Sequence, residues 1–249
     1  MMQRGGQPEH EIVHAKHLLS IGVEDAWGWR SRAGQERVRA RVRWLIKTCG
    51  MRPNINVLEC GCGTGIFTRQ IAKTGANITA VDISEDFLSM AEELCQGKNV
   101  KFVQANLEDP SNLADNVFDV MCGVSVLHHL DLTTVLPRLR TKLKPGGRFA
   151  FSEPNLLNPI NKYLIFTNDQ GKRYKLRVSP SEMAFRPREL RSIFEDADYV
   201  VCDLVHRDFL HPSVPPILIP VVKAGQFLAE HTPLIRCLSG SLWIHGMRP

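Results

Sequence analysis

The chain has 249 residues, 43% of them apolar and 23% charged, and its formal net charge at pH 7 is +5. This composition excludes a largely disordered chain, and the length fits one large α/β domain or a domain with a small cap. The mild positive charge gives little support for nucleic-acid binding. The cysteines number seven and are scattered, which argues against a disulfide framework, and the sequence has neither a secretory signal nor a membrane-spanning run. We therefore expect a cytoplasmic protein.

The first fifty residues predict a helical cap or lid. We expect a disordered leader over residues 1–8 and helices over residues 11–20 and 34–49. Trp27 and Trp29 lie in the turn between the two helices. They either cover a bound ligand or pack the cap onto the core of the protein.

A histidine-rich run lies within the first predicted helix. His10, Glu11 and His14 match the pattern H-E-x-x-H, and His17 follows one turn later. On a helix this spacing could hold zinc, with Glu11 as the base of a hydrolase. The run lies beside a disordered leader and has no third ligand assigned to it, so adventitious metal binding is the better interpretation. We expect no metal site.

Two basic runs occur elsewhere in the chain, at residues 37–43 and 172–177. The alternating arginines of the first run spread around a helix and predict a solvated surface with some helix packing. The second run could attract an acidic acceptor, but a solvated loop is the simpler interpretation. Neither run predicts a nucleic-acid interface.

A glycine-rich loop follows the first predicted strand. An apolar run ends in Glu59, and Gly61, Gly63 and Gly65 follow at every second position. A second apolar run ends in Asp82, seventeen residues after the last glycine. A strand, a glycine turn that opens a helix, and a second strand tipped with an acid form the first half of a nucleotide-binding βαβ unit. At the end of this second strand, the carboxylate of Asp82 can accept hydrogen bonds from both hydroxyls of a ribose.

The spacing of the glycines distinguishes between nucleotides. Dinucleotide-binding loops have G-x-G-x-x-G, whereas this loop has G-x-G-x-G, with Ile66 where the third glycine would stand. Glu59 would place like charges together beside a pyrophosphate, which disfavours a nicotinamide-dependent dehydrogenase, but it suits a ligand with an ammonium group. Together with Asp82, the loop resembles motif I of class I S-adenosylmethionine-dependent methyltransferases. The resemblance implies S-adenosyl-L-methionine as the cofactor.

The alternation of strands and helices continues along the chain and predicts a doubly wound parallel sheet. The predicted strands are residues 56–59, 78–83, 100–104, 118–125, 148–152, 199–205 and 241–245, and the predicted helices of the core are 65–73, 85–95 and 132–143. The resemblance implies an α/β, Rossmann-like fold of seven strands whose last strand is antiparallel. This methyltransferase domain would cover residues 51–249, after a cap over 1–50. Insertions at about 155–185 and 209–235 are expected to extend the cap.

Further motifs extend the resemblance from residue 56 to residue 152. Asn106 and Leu107 stand where the family contacts adenine, usually with an aspartate, and residues 143–147 match the family turn before strand five. The cofactor-binding residues that the resemblance implies are Glu59, Gly61, Cys62, Gly63, Gly65, Asp82, Ile83, Asn106, Leu107 and Val124.

Three side chains near the carboxyl ends of strands four and five could take a proton from an acceptor. His129 is the first candidate, and His128 and Glu153 follow. A histidine pair at this position can instead serve packing or helix capping alone. The predicted acceptor contacts are Trp27, Trp29 and Asn155.

These residues predict methyl transfer to a small-molecule acceptor, at oxygen. The alternatives are N- or C-methylation of a small molecule, or a catalytically silent protein that binds S-adenosylmethionine. Strand four lacks the Asn/Asp-Pro-Pro-Tyr/Phe tetrad, which disfavours amino-methylation of DNA adenine or of glutamine. The apolar run over residues 209–222 favours burial over the cleft more than membrane contact. The acceptor and the oligomeric state stay open.

Overall fold

The computed structural model describes residues 8–167, 169–175, 178 and 182–249. Over these residues the chain forms a seven-stranded sheet with the order β3-β2-β1-β4-β5-β7-β6. The strands are β1 (Asn56–Cys60), β2 (Asn77–Asp82), β3 (Val100–Gln104), β4 (Phe118–Val124), β5 (Leu143–Pro154), β6 (Val200–Arg207) and β7 (Ser241–Met247). Strands β1 to β5 pair in parallel, and β7 lies antiparallel between β5 and β6. The predicted Rossmann-like α/β fold with an antiparallel last strand is confirmed.

The α-helices of the described residues are α1 (Pro8–Ile21), α2 (Val23–Ala26), α3 (Arg32–Cys49), α4 (Thr68–Ile71), α5 (Glu85–Leu94), α6 (Leu132–Lys142), α7 (Gln170–Lys175), α8 (Pro187–Asp196), α9 (Ile219–His231) and α10 (Pro233–Arg236). Short 3₁₀ turns cover Ala72–Thr74, Leu127–His129 and Pro216–Leu218, and a π turn covers Asn161–Ile165. None of these helices combines the length and apolarity needed to cross a membrane.

Two element boundaries differ from the predicted ones for local reasons. The helix predicted from residue 65 begins only at Thr68, because Gly65 has a φ of +81° that a right-handed helix does not admit. Strand β5 extends back to Leu143, which pairs with Phe118 across an irregularity in the register. Helix α5 begins as its sequence predicts, since the Ser84 hydroxyl accepts a hydrogen bond from its third residue.

The sheet is covered on both faces, as a parallel sheet requires. Val57 and Leu58 are neighbours in β1, are both fully buried, and contribute to separate apolar layers. In the layer of Leu58, the rings of Phe149 and Phe194 stack with centroids 4.6 Å apart. In the layer of Val57, Leu45 of α3 packs against the sheet. This packing fixes the strands and leaves the loops at their carboxyl ends for function.

The prediction of a solvated surface over residues 37–43 is wrong for Arg37 and Arg41. Arg41 is 2% exposed, pairs with Asp208, and donates a hydrogen bond to the Ser152 hydroxyl at 3.2 Å. Arg37 pairs with the same carboxylate at 2.7 Å. Burial alone would raise the pKa of Asp208, but the two guanidinium groups outweigh burial and hold the pKa well below its usual range. Residue spacing along a helix cannot show this, because packing partners distant in sequence decide which face is buried.

The insertion after β5 leaves and rejoins the core at one point. Asn155 and Phe185 form a parallel bridge, and the amide N–H of Phe185 donates to the Pro154 carbonyl at 3.0 Å. The fully buried side-chain amide of Asn155 donates to the carbonyls of Cys237 and Ser239 at 2.9 and 2.8 Å. Asn155 therefore holds the base of the insertion together. The leader predicted over residues 1–8 and the basic run over 172–177 lie partly outside the described residues.

Candidate active site

A cavity of about 610 Å³ lies at the carboxyl ends of β1, β2 and β4. Asp82 and Val124 line it from the core, and Leu18 lines it from the first helix. Leu164 comes from the insertion after β5, and His211 comes from the segment before α9. All three segments outside the core motifs therefore contribute to one enclosure.

The glycine loop forms one wall of this cavity. Gly61 has a φ of +64°, and a Cβ atom on it would lie 2.4 Å from Cγ2 of Val126. Gly63 has a φ of +52°, and a Cβ atom there would lie 3.4 Å from the ring of Trp27. Glycine adopts this left-handed conformation at low cost, and it has no Cβ atom that would clash with Val126 or crowd Trp27. The loop is thus a backbone cradle between the turn after β4 and the cap.

Asp82 joins the glycine loop to the end of β2. Its Oδ2 accepts a hydrogen bond from the Gly63 N–H at 2.8 Å, and its Oδ1 accepts one from the Ser84 N–H at 3.0 Å. Burial raises the pKa of Asp82, while these hydrogen bonds oppose the rise. Each carboxylate oxygen keeps a further lone pair, so the group can still accept hydroxyl donors from the cavity.

We predict that Asp82→Ala weakens binding of S-adenosylhomocysteine by about 10- to 100-fold. The variant leaves polar groups of the ligand and two loop amides unpaired, at a cost of about 1–3 kcal/mol, which corresponds to that loss of affinity. Titration calorimetry measures the dissociation constant, with Asp109→Ala, an exposed aspartate, as the matched control. An unchanged constant in a folded Asp82→Ala protein would place the ribose elsewhere.

Glu59 lies beneath the loop, in a site that favours a positively charged partner. It is 3% exposed, and its Oε2 has no hydrogen-bond partner among the described residues. Burial, and secondarily the nearby Asp82 carboxylate, raises the pKa of Glu59 to about 7. A buried carboxylate oxygen that accepts no hydrogen bond is costly unless a cation or donor approaches it. The residues present thus fit S-adenosylmethionine, whose ammonium group would satisfy Glu59.

The other residues that the resemblance implies for the cofactor fall into two groups. Those that line the cavity are Cys62, Ile83, Asn106, Leu107 and Val124, together with both glycines described above. Gly65 and Glu59 lie behind this surface. The Asn106 side-chain oxygen accepts a hydrogen bond from the Glu108 N–H at 2.9 Å, which fixes the amide at the rim.

The two tryptophans of the cap have different surroundings. Trp27 lies over the glycine loop and packs edge-to-face on Phe87, with ring centroids 5.5 Å apart. Trp29 is 7% exposed and packs on Phe67 at 5.4 Å, with the Arg37 guanidinium 5.1 Å from its ring centroid. Both rings line the cavity, but most of Trp29 lies in the core. Trp27 is therefore positioned as a cover, and Trp29 mainly as a support for the cap.

His128 and Glu153 form a buried pair at the end of β4. The Nδ1 atom of His128 lies 2.8 Å from Oε2 of Glu153, and the side chains are 6% and 0% exposed. The other oxygen of Glu153 accepts hydrogen bonds from the N–H groups of Val126 and Leu127 at 3.1 and 3.0 Å. Since the carboxylate is held as an acceptor, it favours the tautomer of His128 that carries its proton on Nδ1. The Nε2 atom then keeps a free lone pair.

Two more glutamates approach the histidine pair from the cap and the insertion. Nδ1 of His129 lies 2.9 Å from Oε2 of Glu11, an ion pair rather than a well-aligned hydrogen bond. Glu182 lies between His128 and His14, 3.8 Å and 3.6 Å from their Nε2 atoms. Burial alone would lower the pKa of His129, but the carboxylates of Glu182 and Glu11 outweigh burial and raise it to about 9.

The structure thus brings His128, His129 and Glu153 together and adds residues that the sequence did not indicate. Glu182 follows the histidine pair by more than fifty positions, and no motif marks it. Glu11 belongs to the H-E-x-x-H run, whose spacing indicates at most the base of a zinc hydrolase. Its side chain turns instead toward the turn after β4.

Comparison with known proteins agrees with this geometry. A family model described as "Methyltransferase domain" matches residues 58–151. A protein of Pseudomonas savastanoi pv. phaseolicola named "Ubiquinone biosynthesis O-methyltransferase" is 31% identical over 173 residues, which cover 66% of this chain and 72% of that protein.

Solved structures share the fold at lower identity. A Thermotoga maritima protein described as a S-adenosylmethionine-dependent methyltransferase, possibly a histamine N-methyltransferase, has a TM-score of 0.67 at 17% identity, covering 94% of this chain and 100% of that one. The N-methyltransferase NodS of Bradyrhizobium japonicum, in complex with S-adenosylhomocysteine, has a TM-score of 0.59 at 16% identity, covering 88% and 89%. The chain belongs to the class I S-adenosylmethionine-dependent methyltransferases.

Proposed function

We propose that the protein transfers a methyl group to a hydroxyl oxygen of a small, largely apolar molecule. The observation that carries the proposal is the His128–Glu153 pair, in which His128 lines the cavity and the buried Glu153 holds its ring. A hydroxyl must lose its proton as it becomes a methyl ether, and a histidine oriented by a carboxylate is suited to take that proton. The named O-methyltransferase relatives support the same reaction type.

S-adenosylmethionine, when bound, supplies a methyl group that is already activated on a positively charged sulfur. The protein's own contribution is therefore to orient the acceptor, to exclude water and to remove one proton. We assign the proton-accepting role to Nε2 of His128, because Glu153 fixes its ring. Nδ1 of His129 is instead paired with Glu11. Glu153 acts as a positioning residue, since both of its oxygens are engaged.

The cap supports selection of a small molecule. The cavity of about 610 Å³ is lined by the first helix, the insertion and the segment before α9, and its volume is in the range of small-molecule sites. Apolar side chains dominate the cap wall, including Leu18, Trp27 and Leu164. A phenolic or similar hydroxyl on an apolar frame fits this lining. The seven free thiols fit a reducing compartment, so we propose the cytoplasm as its location.

N-methylation is the second candidate, and a specific feature favours it. The carboxylates of Glu11 and Glu182 beside the histidines could hold an ammonium group. An amine acceptor would bind to them directly.

One assay separates these reactions. The purified chain is incubated with methyl-labelled S-adenosylmethionine and matched phenol, alkyl alcohol and amine panels on the same aromatic frames. We expect methyl ethers and S-adenosylhomocysteine as products, and calorimetric binding of S-adenosylhomocysteine but not of NAD. Labelled amines without labelled ethers would replace the proposal with N-methylation. Tight cofactor binding with no transfer to any panel would favour a silent binding protein.

A further inference from the structure

Six ionisable side chains from four segments meet on one side of the cavity. They are Glu11 and His14 of α1, His128 and His129 of the turn after β4, Glu153 of β5 and Glu182 of the insertion. Three carboxylates thus surround three imidazoles in a partly enclosed space. Such a concentration of negative charge and nitrogen lone pairs favours a cation.

Three of these residues have the spacing of ligands to a single ion. His128, His129 and Glu182 each offer one donor atom, and the three atoms lie within 4.8 Å of one another. Nε2 of His128 lies 3.8 Å from Oε2 of Glu182. This is too long for a hydrogen bond, but two donors each about 2.1 Å from one ion lie about 3–4 Å apart. Side-chain shifts of about 1 Å would bring the donor atoms to these separations.

The surroundings of His128 match those of a metal ligand. Histidine ligands commonly donate the N–H of their other ring nitrogen to a carboxylate, which fixes the tautomer and the ring orientation. Glu153 occupies that position at 2.8 Å from Nδ1, and two backbone N–H groups hold its other oxygen. Nδ1 of His129 has Glu11 beside it in a looser contact.

We propose that His128, His129 and Glu182 bind a divalent transition-metal ion such as Zn²⁺, and that the ion binds the acceptor oxygen. Two imidazoles and one carboxylate are a known ligand set that leaves a position open for substrate. This role rests on the proposed O-methylation, whereas binding of the ion does not. Nε2 of His128 would then be a metal ligand in place of the proton acceptor assigned above. The hydroxyl proton would leave to solvent as the acceptor binds the ion, and the oxygen would form the new bond to carbon as the carbon–sulfur bond breaks toward sulfur.

Cobalt(II) is the probe for this site, because its visible absorption reports the ligand geometry without an activity assay. The full chain is stripped with EDTA, dialysed and titrated with Co²⁺, and binding is followed by absorption and by calorimetry. We expect one Co²⁺ per chain and displacement by Zn²⁺. Glu182→Gln and His129→Asn should each weaken binding by at least about 100-fold, since loss even of an outer partner costs 10- to 100-fold.

The N-terminal histidines provide the matched control. A His10→Asn, His17→Asn double variant keeps the proposed ligands and should bind Co²⁺ as the parent does. Loss of binding in this double variant, with retention in a folded Glu182→Gln protein, would assign the metal to an adventitious N-terminal site and overturn the proposal. Full methyl transfer by the EDTA-stripped chain would remove the ion from catalysis while leaving the proposed O-methylation intact. Stoichiometric Co²⁺ binding without methyl transfer to any hydroxyl would instead reject the proposed function alone.

Discussion

Glu153→Gln is expected to lower kcat by about 10²- to 10⁴-fold, the range that proton transfer by a positioned side chain contributes. The glutamine oxygen can still accept the two backbone N–H groups that Glu153 accepts now. Its NH₂ group then faces Nδ1 of His128, which must become the acceptor. The ring proton of His128 then lies on Nε2, the atom to which we assign the proton-accepting or metal-binding role. With Nε2 protonated, His128 can neither accept a proton nor bind an ion through that atom.

Steady-state kinetics with a hydroxyl acceptor taken from the panel assay tests this effect. We expect the dissociation constant of S-adenosylhomocysteine and the unfolding temperature to stay close to those of the parent, because the fold contacts are preserved. Glu195→Gln, an exposed glutamate of α8, is the control for the substitution itself. Unchanged kcat in Glu153→Gln would show that the tautomer of His128 has no role in turnover.

Asp208→Ala is expected to lower the free energy of unfolding by about 3–5 kcal/mol, because removing one partner of a buried ion pair leaves the other charge buried without compensation. Its carboxylate is 5% exposed and pairs with both Arg37 and Arg41. Arg41 is almost fully buried, so the variant would leave a guanidinium charge in the core without its partner. For a domain of this size the loss corresponds to a fall of about 6–20 °C in Tm.

Urea unfolding followed by circular dichroism measures the change. Asp203→Ala, which removes an exposed aspartate from β6, should change stability by less than about 0.5 kcal/mol. The double variant Arg41→Met, Asp208→Ala should be more stable than Asp208→Ala alone, since it no longer buries an unpaired charge. If the free energy of unfolding of Asp208→Ala falls by less than about 1 kcal/mol, water must reach the Arg41 guanidinium and solvate its charge.

Local sequence determined the fold and the class of cofactor. The alternation of apolar runs and amphipathic segments depends only on neighbouring residues, and it predicted all seven strands. The predicted ends differ from the observed ones by at most two residues, except that β5 begins five residues earlier than predicted. The spacing of Gly61, Gly63 and Gly65 is equally local, because a left-handed backbone and a close approach depend on the missing Cβ atom. These features sufficed for the methyltransferase family.

Only the tertiary structure decided which ionisable side chains meet. Arg41 can be buried because its guanidinium donates hydrogen bonds to Asp208 and Ser152, which both lie more than a hundred positions away in the sequence. Glu11 and Glu182 approach His128 and His129 because α1 and the insertion fold onto the same sheet edge. Charge and hydrogen bonding act over a few ångströms in space and are indifferent to distance along the chain. The sequence alone therefore predicted the family and most of the residues that line one cavity, while the packing of the cap determined which ionisable groups meet there.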